Sequence, residues 1–333
     1  MDLDAYVNEH GAEWNRLRVL VGRRKRKLTA AEVDELVMLY RRAATHLSVI
    51  RSRSGDPTLV AWLSRLVLQA RSAVSPSAGF SLAAVRRFFL VSYPSEIVRA
   101  GRWCLGVAVA FLGFATVVGV LVVNDPSIAL SVLTQQEIDS YVNHDFEDYY
   151  SAYPPQNFAS LVWLNNTLVS ALCLAGGVLA LPTAYLLYEN ALSIGLVGGI
   201  MVDNDRPGVF FGLITVHGLL ELTCIFIAGG VGLRTAWAGI APGPFLTRTQ
   251  SLAQAGRQAM VVALGLGVTL GVSGLIEAFV TPAPIPIFLR LTIGASVWLA
   301  FLAYVIGLGW TALRAGDTGD VAPYEREAVA PTV

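Results

Sequence analysis

Charged side chains are scarce in this sequence. Asp, Glu, Lys and Arg make up 14% of the 333 residues, hydrophobic residues make up 54%, and the mean hydropathy is +0.57. These values lie outside the usual range of soluble globular domains. The composition therefore excludes an ordinary soluble protein and predicts an integral membrane protein.

The motifs of common soluble enzymes are missing as well. There is no Walker A sequence, no glycine-rich dinucleotide motif after a strand and no HExxH. The three cysteines lie in apolar runs, which predicts packing residues rather than disulfide partners or zinc ligands: Cys104, Cys173 and Cys224. The first residues lack an apolar segment with a cleavage site, so no removable signal peptide is expected. We therefore expect no catalytic residue, cofactor or metal.

Long apolar runs are present and are near the roughly 20 residues that a helix needs to cross a bilayer. They lie at about 103–123, 161–188, 209–233, 258–280 and 287–313. A sixth run, 191–202, is shorter, which predicts that 161–202 forms a hairpin with one short or broken member. The fold class expected is all-α, a polytopic helical membrane protein of about six spans.

Basic residues are unevenly distributed along the chain. Residues 1–102 carry a net charge of +8 and the remainder carries −8, and no Lys or Arg occurs between Arg102 and Arg206. Because Lys and Arg concentrate in cytoplasmic loops, both termini are expected in the cytoplasm and the acidic loop 124–160 outside. Six crossings satisfy this rule better than five crossings with 191–202 re-entrant. The predicted location is the cell membrane.

The first 95 residues predict a cytoplasmic helical domain, followed by a transmembrane domain at 96–315 and a disordered cytoplasmic tail at 316–333. The spacing of Thr29 and Glu32 is that of a capping box, so a helix should begin near residue 30 and end near Arg53. Asp56 and the proline after it should begin another helix.

A cluster of basic residues follows Gly22. It could bind nucleic acid, but a loop attracted to anionic lipid is favoured, so membrane lipids and no nucleic acid are the expected partners. An amphipathic helix after residue 80 is expected on the inner leaflet. The basic residues assigned to the membrane surface are Arg23, Arg24, Lys25, Arg26, Lys27, Arg86 and Arg87.

The loop 124–160 mixes carboxylates with aromatic residues. Three interpretations stay open: a solvated acidic loop, a partner surface or interfacial aromatic belt, and a calcium site. The spacing lacks the central glycine of an EF-hand loop, which argues against the calcium interpretation.

Ionisable residues inside the apolar runs are the most informative feature. His217 and Glu221 lie four residues apart and share a helical face, and Glu277 lies in another run. Such groups are costly in lipid and usually face a bundle interior, either as glue between helices or as a functional site. A single HxxxE has too few ligands for zinc. Glu277 or His144 could complete a site, but His144 is expected outside. The predicted polar cluster comprises His217, Glu221, Glu277 and the candidates that could close it, Asn165, Asn166, Glu189 and Asn190.

Small residues recur at four-residue spacing, as in Gly195 to Gly199 and Gly267 to Gly271. This spacing lets helices approach closely. It fits packing within the chain or a homodimer, and the sequence does not separate the two.

Several short motifs resemble the stage II sporulation protein M family of bacterial membrane proteins. The resemblance covers about 95–315, although Val216 stands where the family often has proline. It rests on the His-Gly-x-x-Glu motif at 217–221, on the segment around Glu277, on Asn165 and Asn166, and on Ile227, Gly218, Gly229, Gly232, Leu233, Pro242, Gly243 and Arg248.

The resemblance implies a membrane scaffold without an assigned reaction. In spore formers, members look like anchors for a complex that degrades cell wall. In non-sporulating actinobacteria, similar genes accompany MoxR-type AAA+ ATPases and von Willebrand factor A-like proteins. This chain has only two lysines among its 24 basic residues, a composition typical of such bacteria. The expected function is thus a scaffold that recruits cell-envelope or ATPase-linked partners. The alternative is a permease-like transporter or intramembrane site that uses His217, Glu221 and Glu277.

Overall fold

The computed structural model describes residues 3–23, 28–53, 56–74, 82–151 and 153–316, and every regular element in these ranges is helical. Contacts divide the chain into two compact units, 1–82 and 83–333. The domain border predicted at residue 95 therefore falls inside the second unit. Residues 317–333, most of the predicted tail, lie outside the described ranges.

The N-terminal unit is a bundle of three helices, α1 (Leu3–Gly22), α2 (Ala30–Arg53) and α3 (Pro57–Val74). Each helix places one apolar face into a shared core; Trp14, Leu36 and Leu63 are among its buried side chains. Amphipathic helices that bury one stripe against each other are typical of water-soluble bundles. This unit thus has a core of its own.

Both predicted helix starts in this unit are confirmed. Thr29 N–H donates to Glu32 Oε2 at 2.9 Å, and Glu32 N–H donates to Thr29 Oγ1 at 3.3 Å, which completes a capping box for α2. Asp56 Oδ1 accepts from Thr58 N–H at 2.8 Å at the start of α3. Local side-chain chemistry therefore fixes where these helices begin.

The segment that leads into the first span is packed, not laid on a surface. Helix α4 (Leu82–Arg87) is followed by a π-helical turn (Phe88–Ser92) and by α5 (Tyr93–Arg99). Tyr93 and Glu96 are 1% exposed, and the Tyr304 hydroxyl donates to the Phe89 carbonyl. The α-helix in the predicted amphipathic segment thus ends at Arg87, and residues 92–97 are buried in the bundle.

Six helices of the second unit are long and apolar enough to cross a membrane, as predicted. They contain 22 to 34 residues each. In chain order they are α6 (Gly101–Asn124), α10 (Pro155–Gly176), α11 (Leu181–Asp203), α12 (Pro207–Ile240), α13 (Arg248–Phe279) and α14 (Ile287–Arg314).

The prediction of one short or broken hairpin member was wrong. Helices α10 and α11 have 22 and 23 residues, and the chain turns at 177–180 with Ala180 at a φ of 63°. The turn contains only apolar residues and glycine, so a hydropathy pattern runs straight through it. Pro182 marks the start of α11, where its missing N–H costs nothing.

Helix α12 is the centre of the bundle, since it packs against each of the other five spans. Small residues let its neighbours approach: a methyl group on Gly230 would overlap the Cys104 backbone, and one on Gly229 would meet Leu187.

Cys173 and Cys224 are free, fully buried and part of the core, which confirms their predicted packing role.

The connection between α6 and α10, here called the cap, forms short helices rather than an open loop. These are α7 (Ser127–Leu130), α8 (Gln135–Ser140) and α9 (Phe146–Asp148), with a π-helical turn at Tyr141–Asp145 and a 3₁₀ turn at Tyr149–Ser151. Phe146 is buried and stacks on Phe210 of α12 at 6.0 Å between ring centroids. The cap therefore packs on the bundle through its apolar side chains.

Candidate functional site: a buried His-Glu-Glu cluster

The three ionisable residues predicted to cluster do lie together. His217 Nε2 lies 3.9 Å from Glu277 Oε1, and one ligand atom each of His217, Glu221 and Glu277 lie within 4.8 Å of one another. The side chains of His217 and Glu277 are only 8% and 6% exposed. Helices α12 and α13, which contact each other extensively, supply all three residues.

The imidazole ring is held from its far side. His217 Nδ1 is 3.2 Å from Thr281 Oγ1, and the Thr281 hydroxyl donates to the Ile276 carbonyl at 3.4 Å. Arg290 of α14 donates to the Thr281 carbonyl at 2.6 Å, and Ser273 donates to the His217 carbonyl at 3.3 Å. These contacts fix the ring so that Nε2 faces the two carboxylates.

The cap covers this cluster. The Tyr150 ring lies 5.8 Å from the His217 ring, and Tyr150 packs with Phe158 and Ala278 in a small apolar cluster. Burial, followed by the charges of Glu277 and Glu221, raises the pKa of Tyr149 to about 12. Burial likewise raises the pKa of Tyr150. Both phenols are therefore neutral at physiological pH.

The candidates for closing the cluster separate into two groups. The Asn166 side chain lies beside the Glu221 carboxyl, so it joins the cluster. Its neighbour Asn165 is exposed. Glu189 is exposed and hydrogen-bonds Tyr185, and Asn190 donates to the Leu186 carbonyl at 2.8 Å. The contacts of Glu189 and Asn190 thus lie within their own helix.

The other motif residues shape the bundle. Gly218, Gly229 and Gly232 are buried in α12. Pro242 and Gly243 lie in the turn between α12 and α13, where Gly243 has a φ of +82°, a conformation that favours glycine. Arg248 is exposed at the first position of α13. Helix α12 passes Val216 without a break.

Of the predicted membrane-surface residues, Arg23 is exposed and pairs with Glu32 at 2.8 Å. Arg86 and Arg87 are exposed at the end of α4. The remaining four, Arg24, Lys25, Arg26 and Lys27, lie outside the described residues.

Both small-residue repeats pack within the chain. A methyl group on Gly195 or Gly199 would overlap α6, and Gly271 faces Trp163 of α10. Trp163 Nε1 also donates to the Gly267 carbonyl at 2.7 Å. Packing within the chain therefore accounts for this spacing.

Several residues of the site escaped sequence reasoning. Thr281 follows Glu277 by four residues and lies in the turn just after the end of α13 at Phe279; this closeness along the chain is a signal that could have found it. Tyr150 and Arg290 join through tertiary contacts that no local pattern announces.

A second polar group was also missed. Glu96 lies 3.5 Å from Arg99 Nε and 3.7 Å from Arg234 NH1, and Arg234 reaches Gln258 Oε1 at 3.4 Å.

Among the described residues, two groups of side chains could hold a metal ion. One is the buried cluster of His217, Glu221 and Glu277; the other is His10, Glu13 and His46 of the N-terminal unit, which is partly exposed. The carboxylates of the cap are not among the groups found in the described ranges, so a calcium site there gains no support.

Comparison with known families matches Stage II sporulation protein M over residues 108–282, more than half of the chain. A family described as a domain of unknown function matches residues 4–75, within the N-terminal unit. Comparisons with curated proteins and with solved structures returned no match. The chain is therefore a multi-pass membrane protein that belongs to the Stage II sporulation protein M family.

Proposed function

We propose that this protein is a membrane scaffold that recruits partner proteins through its N-terminal unit and has no reaction of its own. The observation that carries the proposal is the division into two units. A three-helix bundle with its own core is covalently attached to a six-helix membrane bundle. Such a bundle adds nothing to a membrane pore, but it gives a partner a folded surface to bind.

The family resemblance indicates the class of partner. We propose cell-envelope proteins, or a MoxR-type AAA+ ATPase together with von Willebrand factor A-like proteins. The N-terminal unit exposes apolar side chains that a partner could cover; Val19, Val33 and Leu68 are 48%, 42% and 62% exposed. Exposed aliphatic residues contribute to partner binding when they are desolvated.

Copurification of the full-length protein from native membranes tests this function. We expect a stoichiometric partner of the proposed classes, and we expect the triple variant Val19→Ser, Val33→Ser, Leu68→Ser to lose it while remaining folded. Glu277→Gln should retain the partner, because its site lies in the membrane bundle. Failure of the unaltered protein to recover such a partner would refute the scaffold.

We further propose that the protein lies in the cell membrane with both termini in the cytoplasm. Arg99, Arg102, Arg248 and Arg314 lie at the helix ends on the N-terminal side of the bundle, whereas the acidic cap lies at the opposite ends. The rule that places Arg and Lys inside supports this orientation.

Single cysteines introduced into a cysteine-free chain test the orientation. Tyr153 and Thr249 are exposed on opposite sides of the bundle, whereas Tyr150 is buried and unsuitable. An impermeant maleimide added to intact cells should label Tyr153→Cys and leave Thr249→Cys unlabelled. The reverse pattern would contradict the orientation.

We propose that Arg86 and Arg87, which are exposed at the end of α4, contact anionic lipid on the cytoplasmic side of the first span. Each basic residue near an anionic surface contributes about 1 kcal/mol. A fluorophore at Arg86→Cys should respond to anionic nanodiscs and lose that response in high salt. An equal response in neutral nanodiscs would remove the electrostatic contribution.

A second candidate, an intramembrane transport site, is favoured by one observation. One oxygen each of Glu221 and Glu277 is buried without a hydrogen-bond partner, a costly arrangement that structural glue does not need. Against transport, each of the six spans is continuous, whereas transporters commonly build their sites from broken helices. Two apolar cavities are present as well, but His217, Glu221 and Glu277 are not among their lining residues, which include Phe114, Tyr188 and Phe211.

A further inference from the structure

The buried cluster contains converging hydrogen-bond acceptors. Because the Thr281 hydroxyl donates to the Ile276 carbonyl, its oxygen is left to accept the proton of His217 Nδ1. The neutral ring then presents the lone pair of Nε2 to Glu277 and Glu221. Acceptors that face each other in an apolar bundle repel unless a proton or a metal ion lies between them.

Two unpartnered carboxylate oxygens are a second indication that the cluster binds a cation. Oε2 of Glu277 and Oε2 of Glu221 are buried and lack a hydrogen-bond partner, although the polar neighbours Ser273, Thr281 and Asn166 are close in the fold. Ser273 hydrogen-bonds the His217 carbonyl, Thr281 contacts His217 Nδ1, and Asn166 lies beside Glu221. None of these contacts reaches Oε2 of Glu221 or Oε2 of Glu277.

The dimensions are close to those of a site for a small divalent cation. Metal bonds to imidazole and carboxylate are about 2.0–2.2 Å, so ligand atoms at tetrahedral angles around one ion lie roughly 3.3–3.6 Å apart. The Nε2 to Oε1 distance of 3.9 Å exceeds this range by about 0.3 Å, and the outer limit of 4.8 Å requires a closure of about 1.2 Å. Thr281 on the outer ring nitrogen and Asn166 on Glu221 are the outer-shell partners that such sites use to orient their ligands.

We propose that His217, Glu221 and Glu277 bind a divalent first-row transition metal ion within the membrane bundle. The set of one imidazole and two carboxylates suits zinc, manganese or iron(II), whereas magnesium and calcium prefer oxygen alone. Three protein ligands would leave a coordination position open, and the Tyr150 ring of the cap lies 5.8 Å from the His217 ring. The proposal departs from the sequence-based expectation of no metal, which considered Glu277 as a further ligand but gave more weight to the single histidine. It does not depend on the scaffold function.

Metal binding by the full-length protein in nanodiscs tests the proposal. The chain carries no histidine tag, and His10→Gln with His46→Gln removes the other candidate group. In that background, we expect one equivalent of Zn²⁺ or Mn²⁺ by mass spectrometry after equilibration in buffered metal. Bound Co²⁺ should give a visible spectrum typical of nitrogen and oxygen ligands.

Single substitutions then locate the ion. His217→Gln, Glu221→Gln and Glu277→Gln should each lose the bound equivalent, and Thr281→Val should weaken affinity about 10–100-fold, as outer-shell substitutions do. Glu189→Gln is the matched control, since Glu189 is an exposed carboxylate in a span and should leave binding unchanged.

Two results would overturn the site. One is no metal bound to the His10, His46 double variant, which would mean that the cluster holds protons alone. The other is full binding by folded variants of all three proposed ligands. Gel filtration shows whether those variants fold. If they do not, the metal stoichiometry and the Co²⁺ spectrum of the double variant still decide the question. Loss of partner proteins in the copurification experiment would leave this result untouched.

Discussion

Gly294→Ala is expected to destabilise the membrane bundle by about 1–3 kcal/mol or more, the cost of overpacking a close contact. Gly294 is buried in α14 and lies directly against the backbone of Val216 in α12. An added methyl group would overlap the Val216 carbonyl. The backbone cannot rotate out of the way as a side chain can, so the two helices must separate.

The separation should also reach the buried cluster. Val216 precedes His217, and Arg290, one turn before Gly294, holds the Thr281 carbonyl that fixes the far side of the imidazole. We therefore expect Gly294→Ala to lower the affinity of the cluster for metal as well as the stability of the fold. Co²⁺ titration of whatever fraction remains folded measures the first effect, and unfolding in mixed micelles measures the second.

Gly307→Ala is the matched control, in the same helix. A methyl group on Gly307 would meet nothing within 4 Å. Replacing an exposed helical glycine by alanine usually stabilises by about 0.5–1 kcal/mol, because alanine loses less conformational freedom. Equal destabilisation by both substitutions would show that the contact with Val216 does not determine the effect.

Local patterns predicted much of this structure. The capping box of α2, the six apolar helices and the shared face of His217 and Glu221 depend on spacing along the chain, and spacing can be read without the fold. Glu277 was assigned to the same cluster by a physical argument, because a carboxylate in an apolar span needs a partner.

Features that depend on tertiary packing were out of reach. The cap folds down because Phe146 and Tyr150 are buried against α12, although its acidic residues suggested an open loop. The α10–α11 turn is as apolar as the helices it joins, so hydropathy did not mark it. Glu96 lies just before the first apolar run, where a carboxylate is not unusual. Its partner Arg234 lies 138 positions further along the chain, so no local pattern predicts the ion pair.

Glu96→Ala is expected to cost about 2–3 kcal/mol of stability. Removal of one partner from a buried ion pair typically costs about 3–5 kcal/mol, and the value here is reduced because the Arg234 side chain remains 24% exposed. Glu96 is 1% exposed and faces both Arg99 and Arg234, so its removal leaves two guanidinium groups close together with less compensation. Unfolding of the full-length protein in mixed micelles measures the loss.

Glu147→Ala supplies the matched control. Glu147 lies 3.7 Å from Arg206, the same separation as Glu96 from Arg234, but its side chain is 53% exposed. Exposed pairs contribute about 0–1 kcal/mol, so burial is the variable that the two substitutions compare. In a double-mutant cycle, Arg234→Gln should recover part of the cost of Glu96→Ala, because it removes the uncompensated charge. Strictly additive effects of the two substitutions would contradict the ion pair and leave packing alone to explain why Glu96 is buried.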